Sequence, residues 1–259
     1  MNLGLQGRWA LVCASSKGLG LGCAESLAAE GVHLVMNARG EELLRQQATR
    51  LASICGVTVH AVPGDITSAD VQAECFKAAL QIDILITNAG GPPPGDFRKF
   101  TRVDWIRAVE ANMLTPIELI KGSIDGMIER GFGRIVNITS SSVKAPIDVL
   151  ALSNGARSGL TGFIAGLARK TAARNVTLNN LLPGAFDTDR LRSTIRAAAI
   201  QQGISEDESA AQRLKAVPAG RFGNAFEFGQ ACAYLCSAQA GYITGQNFLI
   251  DGGAYPGTF

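Results

Sequence analysis

Three short segments carry side chains whose types and spacing suit chemistry. An apolar run at Trp9–Cys13 breaks into Ala14-Ser15-Ser16-Lys17-Gly18-Leu19-Gly20 and is followed by a helix-length stretch. A tight turn of this kind brings backbone N–H groups and the positive end of a helix to a phosphate. In the second segment, Ser140-Ser141-Ser142-Val143-Lys144, a hydroxyl and an amine lie four residues apart. Lys144 would become a proton donor if desolvation lowered its pKa. The third segment runs from Leu150 to Arg157, and helical spacing sets Leu150, Asn154 and Arg157 near one face. A guanidinium is a poor acid but holds carboxylates and developing oxyanions well, so Leu150 and Arg157 are assigned to a substrate. Ser153 has no histidine to activate it as a nucleophile, because His33 and His60 are the only two in the chain and both sit in apolar runs.

These segments need a scaffold, and short apolar runs alternating with helix-length amphipathic stretches supply one. Trp9–Cys13, Val32–Met36, Val57–Val62, Ile82–Thr87, Arg134–Ile138, Val176–Leu182 and Gln246–Ile250 read as strands. About seven strands with intervening helices imply a doubly wound parallel α/β sheet of the Rossmann-like type, helices covering both faces. No linker, repeat or low-complexity tract divides residues 1–259, so a single domain is expected. Within the helix opening near Asn154, Gly155, Gly159, Gly162 and Gly166 call for a packing reason: approach of another helix, across a dimer axis, or close packing on the chain's own sheet.

Composition narrows the class. A hydrophobic fraction of 47% with 18% charged residues suits a globular protein, and a net charge of +2 without a basic block argues against nucleic-acid or membrane partners. No apolar run reaches the length of a membrane span, and a cytoplasmic location is the default expectation. The six cysteines show no paired CxxC spacing. Cys232 and Cys236, four apart, lack the further ligands of a metal site, so small buried side chains are expected and no metal is assigned.

The order of motifs along the chain resembles the short-chain dehydrogenase/reductase family. The turn at residues 13–20 is similar to its TGxxxGxG motif, with Cys13 and Ala14 in place of Thr and the first Gly. Gly64-Asp65-Ile66, Thr87-Asn88-Ala89-Gly90, Pro183-Gly184-Ala185-Phe186-Asp187-Thr188, Tyr242-Ile243-Thr244-Gly245-Gln246 and Asp251-Gly252-Gly253 continue the match. The resemblance implies a dinucleotide held by Ala14, Ser16, Lys17, Gly18 and Leu19 at its pyrophosphate and by Asp65 and Ile66 at its adenine. Asn88, Ala89 and Gly90 would lie along it, with Pro183, Gly184 and Thr188 at its nicotinamide end. Ala38 stands where an NAD-binding acid would be expected, and Arg39 follows it. Two cations, Lys17 and Arg39, without a carboxylate favour NADP(H) over NAD(H).

For the reaction centre the resemblance supplies Asn112, which shapes a proton relay, and Ser140, which orients a carbonyl. Leu150 and Asn154 stand where the family has its Tyr and Lys, and Asn154 keeps a hydrogen bond to ribose without the charge. The only tyrosines are Tyr234, Tyr242 and Tyr255, so no shift of register restores the pair. An NADP(H)-dependent oxidoreductase acting on a carbonyl or alcohol, with Lys144, water or the substrate itself supplying the proton, follows as the first expectation. Alternatives are a catalytically silent cofactor-binding subunit and a non-redox lyase or isomerase. A stiff rim at Gly90-Gly91-Pro92-Pro93-Pro94-Gly95 and a substrate lid over about 189–217 complete the mouth. Arg190, Arg192 and Arg196 hint at an anion there, and Ser205 to Glu208 has capping-box spacing. A homodimer or homotetramer is the expected assembly.

Overall fold

In the computed structural model, which describes residues 2–258, all seven expected strands form. They are β1 Trp9–Val12, β2 His33–Ala38, β3 Val59–Pro63, β4 Ile84–Thr87, β5 Gly133–Ile138, β6 Val176–Pro183 and β7 Asn247–Ile250. All pair in parallel, in the order β3-β2-β1-β4-β5-β6-β7. Connections therefore run outward in one direction from β1 and in the other from β4. A crevice opens between these two strands at their C-terminal ends, the place where ligands bind in open α/β sheets.

Side-chain alternation along the strands feeds two separate cores. Ala10 and Val12 point into the layer built by α1 (Gly18–Ala29), α2 (Glu41–Cys55) and α9 (Ala225–Cys236), which contribute Leu27, Leu44 and Phe228. Trp9, Leu11 and Cys13 point the other way, against α3 (Ala69–Lys77), α5 (Thr115–Arg130) and α6 (Ala151–Thr171), which contribute Cys75, Leu119 and Leu160. With apolar cover on both faces, β1, β4 and β5 are buried along their whole length. The edge strands are less covered: β3 and β7 are only half-buried, and His60 and Phe248 are exposed on them.

A polar ladder crosses the sheet from the end of β4 to the start of β7. Thr87 donates to Asn137 Oδ1 at 2.7 Å, Asn137 donates to Asn180 Oδ1 at 3.3 Å, and Asn180 donates to Asn247 Oδ1 at 2.9 Å. These residues are register partners on β4, β5, β6 and β7, so each amide meets the next directly across the sheet. Buried amides satisfied in this way fix one register for the four strands.

The glycines of α6 divide into two pairs. A Cβ on Gly155 would meet Trp105 at 3.2 Å, and one on Gly159 would meet the Met113 sulfur at 2.8 Å. Both neighbours come from α4 (Arg102–Val109) and the turn after it, so the close helix approach is made within the chain. Gly162 and Gly166 are exposed, with nothing within 4 Å of where a Cβ would stand.

Candidate functional site

The glycine-rich turn leaves β1 through Ala14, whose φ of +48° is one of two left-handed values at non-glycine positions among the described residues. The turn is tied to β2 by Ser15, whose N–H donates to the Asn37 carbonyl at 3.0 Å. A Cβ at Gly20 would overlap the Ala14 carbonyl and touch the Asn88 amide, so glycine there lets the end of β4 close on the turn. Lys17 occupies the N-cap of α1 in an extended conformation without a side-chain capping bond, and the first turn carries no acid. The leading N–H groups of α1 therefore face the crevice without a protein acceptor from a cap, which is what a pyrophosphate requires. Ser16 is nearly buried, and Gly18 at φ +58° faces the Thr188 methyl.

The cations of this half are placed differently from one another. Lys17 Nζ donates to Asp189 at 2.7 Å and so bridges the turn to the lid. Arg39 is exposed just past β2 and forms no ion pair among the described residues, since Glu41 is bound by Arg45 at 2.8 Å. Ala38 before it is buried. Asn37 donates to the Val62 and Gly64 carbonyls at 3.0 and 3.2 Å, drawing the Gly64-Asp65-Ile66 corner alongside β2. Asp65 closes its own turn by accepting from Thr67 N and Oγ1 at 3.1 and 3.0 Å, and Ile66 is buried beneath it.

At the other half, α4 runs into α5 through a π-helical turn, Glu110–Leu114, that holds Asn112. Such turns widen the helix and turn a side chain out of its usual register. Asn112 Nδ2 donates to the Ala108 carbonyl at 3.2 Å while its buried Oδ1 has no partner. Ser140 lies two residues beyond the end of β5, and its Oγ accepts from Ser142 N at 3.1 Å. That leaves the Ser140 hydroxyl hydrogen available for a ligand oxygen. Lys144 ends the same short turn, with its ammonium 5.6 Å from the centre of the Tyr255 ring.

Leu150 caps the N-terminus of α6 and is half-buried. Asn154 donates to the Ile147 carbonyl at 2.9 Å, and its shielded Oδ1 lacks a partner. Arg157 is 7% exposed and donates to the carbonyl of Ile138, the last residue of β5, at 2.6 Å. Burial, reinforced by the charge of Arg190, pushes the Arg157 guanidinium down to about 10. Thr139 Oγ1 and Ser142 Oγ are also buried without partners. Together with Asn112 and Asn154 they account for every such atom among the described residues except Thr177 Oγ1. Unsatisfied polar atoms are costly in an interior, so their concentration around the start of α6 marks a ligand-facing region.

The expected lid is two helices, α7 Asp189–Gln202 and α8 Glu206–Lys215, with Val217 buried just beyond. Thr188 caps α7 by accepting from Leu191 N at 3.3 Å, and Ser205 with Glu208 forms the capping box read from the sequence. Pro183 ends β6, and Gly184 lies against Asp251, where a side chain would clash. Two of the three α7 arginines are neutralised nearby: Arg192 by Asp187 at 2.9 Å and Arg196 by Glu206 at 2.8 Å. Arg190 reaches across the mouth and donates to the Gly91 and Pro92 carbonyls at 2.9 and 2.8 Å. Nothing in the sequence linked the lid to the proline rim, because the two segments lie 98 residues apart.

Other candidates are structural. Cys13, Cys23, Cys75, Cys232 and Cys236 are buried free thiols, and burial raises the Cys13 thiol and pushes Cys75 up to about 12. His33 and His60 pack on Trp9, with ring centroids 5.1 and 5.6 Å away. Among the described residues no group of three His, Cys, Asp or Glu side chains is placed to hold a metal, and no helix is long and apolar enough to cross a membrane.

A family model described as enoyl-(acyl carrier protein) reductase matches residues 13–255. The chain is 31% identical to the 3-oxoacyl-(acyl-carrier-protein) reductase FabG of Aquifex aeolicus, over 98% of this chain and 100% of that protein. It is also 31% identical to the acetoacetyl-CoA reductase of Cupriavidus necator, over 96% and 99%. The structure of L-sorbose reductase from Gluconobacter frateurii, complexed with NADPH and L-sorbose, superposes with a TM-score of 0.92 at 27% identity, covering 99% and 100%.

Proposed function

Because this chain belongs to the short-chain dehydrogenase/reductase family, we propose that it is an NADP(H)-dependent oxidoreductase acting on a carbonyl or alcohol through an altered proton path. The observation that carries this reading is the uncapped N-terminus of α1 behind the glycine-rich turn, open to the crevice between β1 and β4. The residues present fit a dinucleotide: Gly18 and Gly20 let the turn close tightly against β4 and Thr188, and Asn154 Oδ1 is an acceptor without a donor, suited to a ribose hydroxyl. Arg39, without an acid partner and next to Ala38, suits a 2′-phosphate. When bound, the cofactor supplies or accepts the hydride.

The chain's own groups handle the oxygen and the proton. Ser140 Oγ, fixed by the Ser142 N–H, keeps its hydrogen for the substrate oxygen. Leu150 and Asn154 stand at the family's Tyr and Lys positions, so α6 provides no acid there. Lys144 is the proposed donor: it ends the turn that Ser140 begins, which puts both on one short loop. Replacing a general acid typically lowers the rate by about 10²–10⁴, so Lys144→Met in an active preparation should lower kcat within that range. Unchanged kcat would assign the proton to water or substrate. Titration with NADPH and NADH tests the premise, and Arg39→Ala should narrow any preference for NADPH by about tenfold or more. Binding of neither dinucleotide would end the reading. For assembly we favour a homodimer or homotetramer, with the exposed Gly162 and Gly166 on α6 open to a second copy; sedimentation as a monomer would refute it.

A further inference from the structure

We propose that Arg157 and Arg190 together bind the carboxylate of an oxo- or hydroxy-acid substrate on the Ser140 side of the crevice; this deepens the oxidoreductase reading and rests on it. Arg157 has five N–H donors and a single hydrogen bond, to the Ile138 carbonyl, while being 7% exposed. Among the described residues no carboxylate pairs with it. A buried charge with neither a counter-ion nor acceptors for most of its donors is strongly unfavourable, and a ligand that supplies both would complete it. Arg190 adds a second positive group at the mouth, bound to the Gly91 and Pro92 carbonyls and likewise without an acid.

The position selects the ligand. Ile138 ends β5 and immediately precedes Thr139 and Ser140, so Arg157 is anchored two residues along the chain from the hydroxyl assigned to the reacting oxygen. The carbonyls that hold Arg190 follow β4, the neighbouring strand. Cofactor phosphates have their own place at the N-terminus of α1, beyond β1, so the pair on the β4 and β5 side is left for the substrate. Arg192 and Arg196, the other arginines of α7, are already neutralised by Asp187 and Glu206, which leaves Arg190 as the arginine of that helix without an acid partner. Two guanidiniums, neither with a carboxylate partner, favour an anion over any neutral group, and their planar forks match a carboxylate.

The experiment is a calorimetric titration of the full-length protein, with and without saturating NADPH, using pyruvate, acetoacetate and levulinate and the methyl ester of each. At least one acid should bind about tenfold to a hundredfold more tightly than its ester, the range expected of charge-assisted hydrogen bonds. Arg157→Met and Arg190→Gln should each remove that preference, and Arg157→Lys should restore part of it. Equal binding of acid and ester, no binding of any acid, or a preference that survives both variants would overturn the proposal. If the acids are preferred but NADPH is not bound, the anion pair stands and the oxidoreductase reading falls.

Discussion

Two buried arginines stand at opposite ends of β5, and they are treated in opposite ways. Arg134, near the start of the strand, is 1% exposed and donates to the Ser237, Gly133 and Asn175 carbonyls and to Asn175 Oδ1 at 2.8 to 3.1 Å. Its guanidinium also lies 4.4 Å from the centre of the Phe132 ring. Arg157, packed against the end of the strand, has one carbonyl. Burial lowers the pKa of both. The bottom of the sheet is closed by the protein itself, whereas the top leaves donors for something the chain does not contain. Arg134 therefore belongs to the stability of the fold and Arg157 to its use.

Stability measurements should separate them by the largest margin. Arg134→Met leaves several buried carbonyls without donors and removes the contact with Phe132, and should lower the unfolding free energy by about 3 kcal/mol or more. Arg157→Met loses one carbonyl contact but also removes an uncompensated buried charge, and should stay within about 1 kcal/mol of the parent. Urea denaturation reads both. A loss at Arg157 as large as that at Arg134 would make the two equivalent and take away the structural argument for an anion.

The pH dependence of carboxylate binding sharpens the same contrast. An anion raises the pKa of the arginine it binds, so its contribution is complete below the free value of about 10 and declines as pH rises beyond it. Affinity for the preferred oxo acid should be flat from about pH 6, where the ligand is fully ionised, to about pH 9, then fall by up to tenfold per pH unit. A decline centred near neutrality would point to a different titrating group.

How far the sequence disclosed this arrangement follows from the range of the interactions involved. Apolar runs between helix-length stretches placed all seven strands to within a few residues, because a run of apolar residues is a local property of the chain. Helical spacing placed Leu150, Asn154 and Arg157 near one another, and the Ser205 cap was legible for the same reason. Long-range pairings were hidden: Lys17 with Asp189, Arg190 with the Pro92 carbonyl, and the ladder from Thr87 to Asn247. The lid arginines looked like one cationic patch in sequence. Partners at Asp187 and Glu206 reduce that patch to Arg190. Neither the π-turn at Asn112 nor the unpaired atoms of Thr139 and Ser142 has a signature in residue type alone.

Smaller effects probe whether the top of the sheet is strained as well as incomplete. Ala14 holds φ +48° where an L side chain costs about 1–2 kcal/mol, and part of any gain from glycine is lost to the freedom of the unfolded chain. Ala14→Gly should therefore raise stability by about 1 kcal/mol and tighten NADPH, since the methyl at the turn is removed. Destabilisation would mean that the methyl packs usefully and that this end is less strained than its backbone indicates.

The smallest effect is expected at the bridge between the turn and the lid. Lys17 and Asp189 side chains are 66% and 67% exposed, so their 2.7 Å contact contributes at most about 1 kcal/mol to the fold. Its consequence lies in what it occupies: an ammonium beside the uncapped start of α1 is held by a carboxylate instead of facing a phosphate. Asp189→Asn should leave the unfolding free energy nearly unchanged and tighten NADPH by up to about fivefold at low salt, the gain fading as ionic strength rises. Weaker binding in the variant would show that Asp189 holds Lys17 in place for the cofactor. The lid would then complete the phosphate site at one end of the crevice, while Arg190, one residue further along α7, would serve the substrate at the other.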